Sequence, residues 1–279
     1  MNEIQIILVL YRTELQDSLS YLTLCEHIHR LSVPYELLIY NNSTEIKIKE
    51  STEYIVVNAE KNNMLAQAYN YALERAVKNN RKWLLLLDQD TFLSEEYFER
   101  LNVALNLQVK VAAILPVLKC KDKHLSPRSY SSIFGPWGKT NNIEESGIIS
   151  NKMVSAFNSV AFLSINSLQE TGGFSEEFPL DALDTHLFYK LSRNGGYFYL
   201  LDVVLQHNLS VLDYSKYMTK ERYDSIVNAE YILSKQMGII PLMTLKVRLF
   251  FRLCKQILVR KKRPYVIATL KILVFGNSY

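Results

Sequence analysis

The sharpest chemical feature in the chain is Asp88-Gln89-Asp90-Thr91, directly after the apolar run WLLLL at 83–87. Two carboxylates two residues apart lie on the same side of an extended backbone. Unpaired, they repel; a divalent cation relieves that repulsion. Hard oxygen ligands select Mg²⁺ or Mn²⁺, which also bind the phosphate oxygens of a nucleotide. The plain alternative is two solvated aspartates in the turn that starts a helix at Ser94. A second feature is FPLDALDTHLFYKL at 178–191. Asp181 and Asp184, three apart, share a face at a helix start. Favourable negative charge at a helix N-terminus accounts for Asp181 as a capping residue. Asp184 sits deeper, among apolar neighbours, where a carboxylate can take a proton from an attacking hydroxyl. The third feature is His207, just after the strand-like YFYLLDVVL at 197–205, where a plain polar residue is the simpler reading.

These residues need elements to hold them. IQIILVL at 4–10 reads as a strand buried on both faces. Residues 17–32 carry Leu19, Leu22, Ile28 and Leu31 at helical spacing, with Asp17 or Ser18 as N-cap. YELLIY at 35–40 stops at the turn cluster Asn41-Asn42-Ser43-Thr44. Strands at 54–58 and 83–88 flank a helix at 64–79, whose Leu65, Ala68, Ala72, Leu73 and Ala76 share a face. The spacing further predicts strands at 111–118, 153–165 and 197–205, helices at 167–170, 181–193 and 215–237, and a long loop over 121–150. Strands alternating with helices indicate a parallel, βαβ-wound α/β sheet. Ligands of such sheets sit beyond the carboxyl ends of the strands. That directs attention to Tyr11, Arg12, Asn41 to Ser43, Asn58 and Asp88 to Asp90.

The order D-x-D, acidic helix, His resembles the inverting family-2 glycosyltransferases of the GT-A fold. The likeness spans about residues 3–210. It includes the strand ending at Tyr11, IYNNST at 39–44, NAEKNNMLAQAYNYALERA at 58–76, LLLLDQDT, and LSINSLQETGGFSEEFPLDALDTHLFYKL at 163–191. The DQDT form and the spacing of Asp181 and Asp184 look most like the rhamnosyltransferase branch. The resemblance implies that Asp88 and Asp90 hold Mn²⁺ or Mg²⁺ and the donor diphosphate, and that His207 completes the metal site. It implies Asp184 as catalytic base, and Tyr11, Asn41 and Asn63 as lining of the nucleotide pocket. An Arg-Tyr pair similar to Arg222-Tyr223 occurs in that branch, where it reaches donor or acceptor. The sequence departs from the family in four places: Asn41 where an aspartate often reads the base, Met64-Leu65 where a glycine is usual, His186 for a second acid, and Lys190 for an arginine.

The expected reaction is a single displacement with inversion, moving a sugar, rhamnose from dTDP-rhamnose as the first choice, onto a hydroxyl of a glycan acceptor. The acceptor is expected to be lipid-linked, in cell-surface polysaccharide synthesis. The alternatives are another UDP- or dTDP-sugar, a nucleotidyltransferase, or an inactive assembly partner. A nucleotidyltransferase normally needs a glycine-rich basic loop after the first strand; here that loop is YRTELQDS.

The chain has 279 residues, 48% of them hydrophobic, enough for one large α/β domain with an appendage. The expected division is a catalytic domain at 1–212, with a nucleotide-binding half at 1–110 and an acceptor-binding half at 111–212, and a basic helical region at 213–279. Its three scattered cysteines fit a reducing compartment. No signal peptide is read at the N-terminus, and no uncharged run approaches the ~20 residues of a membrane span. The last 49 residues carry ten Lys or Arg and no acid; removing those ten from the net +4 leaves −6 for residues 1–230. Residues 242–259 are amphipathic, with Arg248, Arg252 and Lys255 on a narrow face and Leu242, Leu245, Leu249, Phe250, Leu253 and Ile257 on a wide apolar arc. RKKR at 260–263 follows. That pattern fits a helix lying on a membrane surface through 242–279, which implies a cytoplasmic protein peripheral on the inner face of the cell membrane. The alternative is packing on the catalytic domain or in a homodimer. The tail is too apolar for a nucleic-acid arm.

Overall fold

The structure, a computed structural model, describes residues 3–107, 110–207 and 218–276. The chain divides into two compact units, one of residues 1–128 and 142–208, the other of 129–141 and 209–279. Residues 129–141 thus group with the C-terminal helices. The expected boundary at 212/213 and residues 215–217 of the expected helix lie outside the described residues.

The first unit is built on a mixed, mostly parallel sheet. Its strands are β1 (Ile4–Leu10), β2 (Tyr35–Asn41), β3 (Ile55–Asn58), β4 (Trp83–Leu87), β5 (Ala113–Cys120), β6 (Lys123–Ser126), β9 (Gly147–Ile149), β11 (Phe162–Ser164) and β12 (Phe198–Gln206). Their order is β3-β2-β1-β4-β11-β5-β12-β9, with β6 paired to β5. Three short strands lie outside it, β7 (Arg128–Tyr130), β8 (Thr140–Asn142) and β10 (Met153–Ser155). β1 pairs in parallel with β2 and β4, and all seven of its residues are buried, as its unbroken apolar run requires. β11 runs antiparallel to both β4 and β5. The expected loop at 121–150 thus contains four short strands, and the expected strand at 153–165 is two strands separated by a turn at the site.

Helices α1 (Leu19–His27), α2 (Met64–Lys78), α3 (Glu95–Asn106), α4 (Ile165–Thr171) and α5 (Leu183–Arg193) belong to this unit. Ser18, Ser94 and Ser164 cap α1, α3 and α4 by accepting the backbone N–H three residues on. α2 buries Ala66, Ala68, Tyr69, Ala72, Leu73 and Ala76. The Gly172-Gly173 break ends α4, and Gly172 adopts the left-handed cap at φ 81. Gly173 is required by a close approach: a Cβ there would stand 2.9 Å from Asn70 Oδ1. Asn70 clamps this turn across 104 residues, donating to the Phe174 carbonyl at 2.7 Å and accepting the Phe174 N–H at 2.9 Å. The clamp fixes the segment that leads into α5, and so fixes Asp184.

The second unit contains α6 (Lys220–Met237), α7 (Ile239–Leu258) and α8 (Val266–Phe275), with a 3₁₀ turn at Arg260–Tyr265. Tyr223, Val227, Leu245, Leu249, Tyr265 and Ile272 form its core. A satisfied polar network sits inside that core: the Tyr223 hydroxyl accepts from Gln256 at 2.8 Å and lies 2.8 Å from Thr269 Oγ1. Arg252 is held by both Glu230 oxygens, at 2.9 and 3.0 Å. The amphipathic arc read from the sequence is therefore divided. Leu245 and Leu249 face inward, and Arg252 turns to Glu230 instead of joining a free basic face.

Candidate metal and transfer site

The carboxyl end of β4 delivers the D-Q-D-T turn, and α1 holds that turn in place. The Ser18 hydroxyl donates to the Gln89 carbonyl at 3.0 Å. Ser20 donates to the Thr91 carbonyl at 2.9 Å and accepts the Thr91 N–H at 3.0 Å. Gln89 Oε1 accepts the Tyr11 N–H at 2.9 Å, tying the end of β1 to the same turn. Thr91 forms an antiparallel bridge with His207, the residue after β12, although β11 and β5 stand between β4 and β12 in the sheet. β12 stays paired with β5 up to this point, where the Lys119 carbonyl accepts the His207 N–H at 2.9 Å.

Asp88, Asp90 and His207 come together there, each offering a ligand atom within 4.8 Å of the others. Bonds of about 2.1 Å place the ligands of one ion roughly 3 to 4.5 Å apart, so the spacing is near that of a shared cation. Asp90 reports the same need: its carboxyl is pushed up to about 6, first by burial and then by the negative charge of Asp88, against the opposing pull of His207. Two carboxylates and an imidazole form a hard donor set suited to Mn²⁺ or Mg²⁺. The residues fit the metal that the sequence led one to expect.

Thr91, to which the sequence assigned no role, organises the trio. It is fully buried, and Oγ1 lies 2.5 Å from Asp88 Oδ1, 2.8 Å from Ser159 Oγ and 2.9 Å from His207 Nδ1. A carboxylate only accepts, so the single Thr91 proton goes to Asp88. His207 must then donate from Nδ1, and Ser159 from its hydroxyl. That hydrogen-bond logic puts the proton of His207 on Nδ1, which also stands 3.8 Å from Asp88 Oδ2, and the lone pair on Nε2.

Asp184 lies in the first turn of α5, half-buried, with Oδ1 accepting the Thr185 N–H at 2.7 Å. Burial raises its carboxyl above the ordinary range, more than its hydrogen bonds lower it. The helix starts at Ala182, in the left-handed region and without a side-chain cap of its own, with Asp181 one residue ahead of the cap position. The fields of Asp88 and Asp184 both act on the buried Tyr69 phenol of α2, raising it further after burial has done so. Tyr69 is a second residue missed from the sequence. The only signal was its place in the apolar face of α2, two residues beyond Gln67, among 18 tyrosines that individually say little.

The remaining expected site residues take different positions. The Tyr11 ring is exposed at the end of β1, beneath the Arg12 guanidinium at 5.0 Å. Asn63 caps α2 in position, and its amide donates to the Tyr40 hydroxyl at 2.9 Å. Lys61, Asn63, Gln67 and Glu176 line a groove of about 230 Å³ beside it. Asn41 is fully buried and its amide is used inside the chain, donating to the Ile46 carbonyl and to Asn58 and accepting from the Ser43 N–H. It shapes the loop instead of presenting its amide to a ligand. Tyr223 points into the helical core, so the Arg-Tyr pair does not act as a pair; Arg222 lies in the first turn of α6, in the second unit. Met64, at the position of the usual glycine, has φ 58 and so keeps the glycine conformation. Arg12, Val160 and Ala182 also have positive φ, and Val160 is β-branched. Four of the seven non-glycine residues with positive φ thus lie next to Tyr11, Asn63, Ser159 and the start of α5; Asn80, Lys121 and Asn151 lie elsewhere.

Neither a family model nor a curated protein sequence matches the chain. Solved structures do. A crystal structure of S. aureus TarS, residues 1-349, in complex with UDP-GlcNAc superimposes with a TM-score of 0.57 at 13% identity, over 99% of this chain and 82% of that one. The mannosyltransferase PcManGT from Pyrobaculum calidifontis, in complex with GDP-Man and Mn²⁺, gives 0.55 at 14% identity, over 99% and 88%. At such identity the likeness is one of fold: a mixed α/β sheet, mostly parallel and flanked by helices, of the kind glycosyltransferases use.

Proposed function

We propose that the chain is a metal-dependent, inverting glycosyltransferase of the family-2 type that moves a sugar from a nucleotide donor to a hydroxyl of a glycan acceptor. The observation that carries this reading is the convergence of Asp88, Asp90 and His207 at the end of β4. The binding of UDP-GlcNAc and of GDP-Man with Mn²⁺ by proteins of the same fold supports it. Asp88, Asp90 and His207 would hold Mn²⁺ or Mg²⁺, which supplies charge neutralisation to a departing diphosphate. The exposed Tyr11 ring would stack on the nucleobase, and Asn63 would border the nucleotide; Asn41 would act only by shaping the loop between them. Asp184, made more basic by burial, takes the proton of the acceptor hydroxyl. The hydroxyl oxygen then bonds to the anomeric carbon from the face opposite the diphosphate, whose bond to that carbon breaks, and the configuration inverts.

Rhamnose from dTDP-rhamnose is the specific donor of this proposal, resting on the DQDT form. The acceptor would be lipid-linked, with the helical unit at the inner face of the membrane; no described helix is long and apolar enough to cross one. The test is a thermal-shift screen of nucleotide sugars with Mn²⁺ or EDTA, followed by turnover of the hit. One donor should stabilise the chain only with metal. If no nucleotide sugar or diphosphate stabilises it under any metal, the proposal fails.

A further inference from the structure

We infer that the helical unit docks on an anionic lipid bilayer through the outer stripe of α7, which deepens the membrane part of the proposed function and rests on that part alone. α7 is apolar on two opposite faces. Pro241, Leu245 and Leu249 are buried in the unit's core side, and Gln256 continues their row. On the other side Ile240, Met243, Val247, Phe251 and Leu258 recur at helical spacing and stand exposed, from 47% at Ile240 to 81% at Leu258. At 100° per residue these five fall within a stripe about 80° wide, roughly opposite the buried row. Nothing in the packing of a soluble helix calls for a second apolar face.

The charges around the stripe select its occupant. Lys246 flanks one side, Arg248 and Lys255 the other, and RKKR follows at the end of the helix. Arg252 takes no part, because Glu230 holds it on the buried side. Between residues 238 and 276 there are nine Lys or Arg and no Asp or Glu. A second copy of the chain meeting this face would bring like-charged rims together with no acid among those residues to pair them. An anionic bilayer offers apolar depth for the stripe and the opposite charge for its rims. The helix would lie flat, with Val247 and Phe251 toward the acyl chains and the flanking cations among the headgroups. α8 repeats the pattern, with Ile267, Leu270 and Val274 exposed on one side and Lys271 next to Leu270.

The test is flotation of the full chain with phosphatidylcholine vesicles, with and without phosphatidylglycerol. Wild type should float only with the anionic vesicles, less so as salt rises. Val247→Glu with Phe251→Glu should abolish flotation; both sites are exposed, so folding is preserved. Arg248→Gln with Lys255→Gln should weaken it about fivefold for each cation removed. Sedimentation of the same proteins without lipid supplies the opposing result. A dimer that Val247→Glu with Phe251→Glu dissociates assigns the stripe to a second copy and overturns the inference, as does equal flotation with both vesicle types or none with either. Mn²⁺–nucleotide binding, measured in parallel, reports on the metal site separately, so failure of one reading leaves the other standing.

Discussion

Replacing Thr91 by Val removes one hydroxyl from a fully buried position with almost no change of volume. Three contacts are lost, to Asp88, Ser159 and His207. Their costs differ. The Asp88 side chain is 30% exposed, so water replaces its lost donor. The His207 side chain is 7% exposed, so its Nδ1–H loses an acceptor at 2.9 Å in a dry place and keeps only the Asp88 carboxylate, 3.8 Å away and beyond hydrogen-bond reach. An orphaned buried donor costs about 1–3 kcal/mol, and the chain should unfold several degrees earlier. The larger consequence is for the metal. Without the hydroxyl only the more distant Asp88 carboxylate favours the Nδ1–H tautomer of His207, and removal of such a supporting partner typically weakens metal binding about 10- to 100-fold. Calorimetric titration of Mn²⁺ in the presence of a nucleoside diphosphate measures this directly, and Thr91→Ser should restore most of the affinity. If Thr91→Val lowers the melting temperature yet binds Mn²⁺ like wild type, the tautomer argument is wrong and Thr91 is only structural.

Three further outcomes are expected. Asp184→Asn should bind the donor as wild type does while turnover falls about 100- to 10,000-fold, the range for loss of a general base; unchanged turnover removes the assignment. Asp90 holds its proton to about pH 6 in the folded chain and to about pH 4 when unfolded, so it makes the metal-free protein lose stability as pH rises through that window. Asp184 adds a slope of the same sign, whereas His186, pushed down to about 4 by burial, adds the opposite one. The readout is therefore the difference in chemical-denaturation stability between wild type and Asp90→Asn across that window; parallel curves contradict the raised value. Gly173→Ala, at φ 73 and with its new Cβ 2.9 Å from Asn70 Oδ1, should cost about 2–4 kcal/mol in denaturant unfolding by straining the turn and breaking the Asn70 clamp. A loss below about 0.5 kcal/mol in that experiment means the turn is not held this way.

Much of this protein was legible as pattern. Strand β1, strand β4 and helix α2 followed from local periodicity, because a run buried on both faces or on one helical face must show it in its own residues. D-Q-D-T at a strand end, and an acidic residue inside the first turn of a helix, were visible for the same reason. The pairing of those features was not. His207 meets Thr91 across 116 residues, at the ends of two strands, β4 and β12, that the sheet order separates by β11 and β5. Asn41 had the right chemistry for a ligand, yet the fold turned its amide inward to Asn58 and Ile46. The wide apolar arc of α7 was a fact of sequence; which half of it would be buried depended on α6 and α8. Periodicity records what a segment can bury, whereas the partner that buries it, and the groups left facing a common point, are decided by contacts between segments that share no local signal.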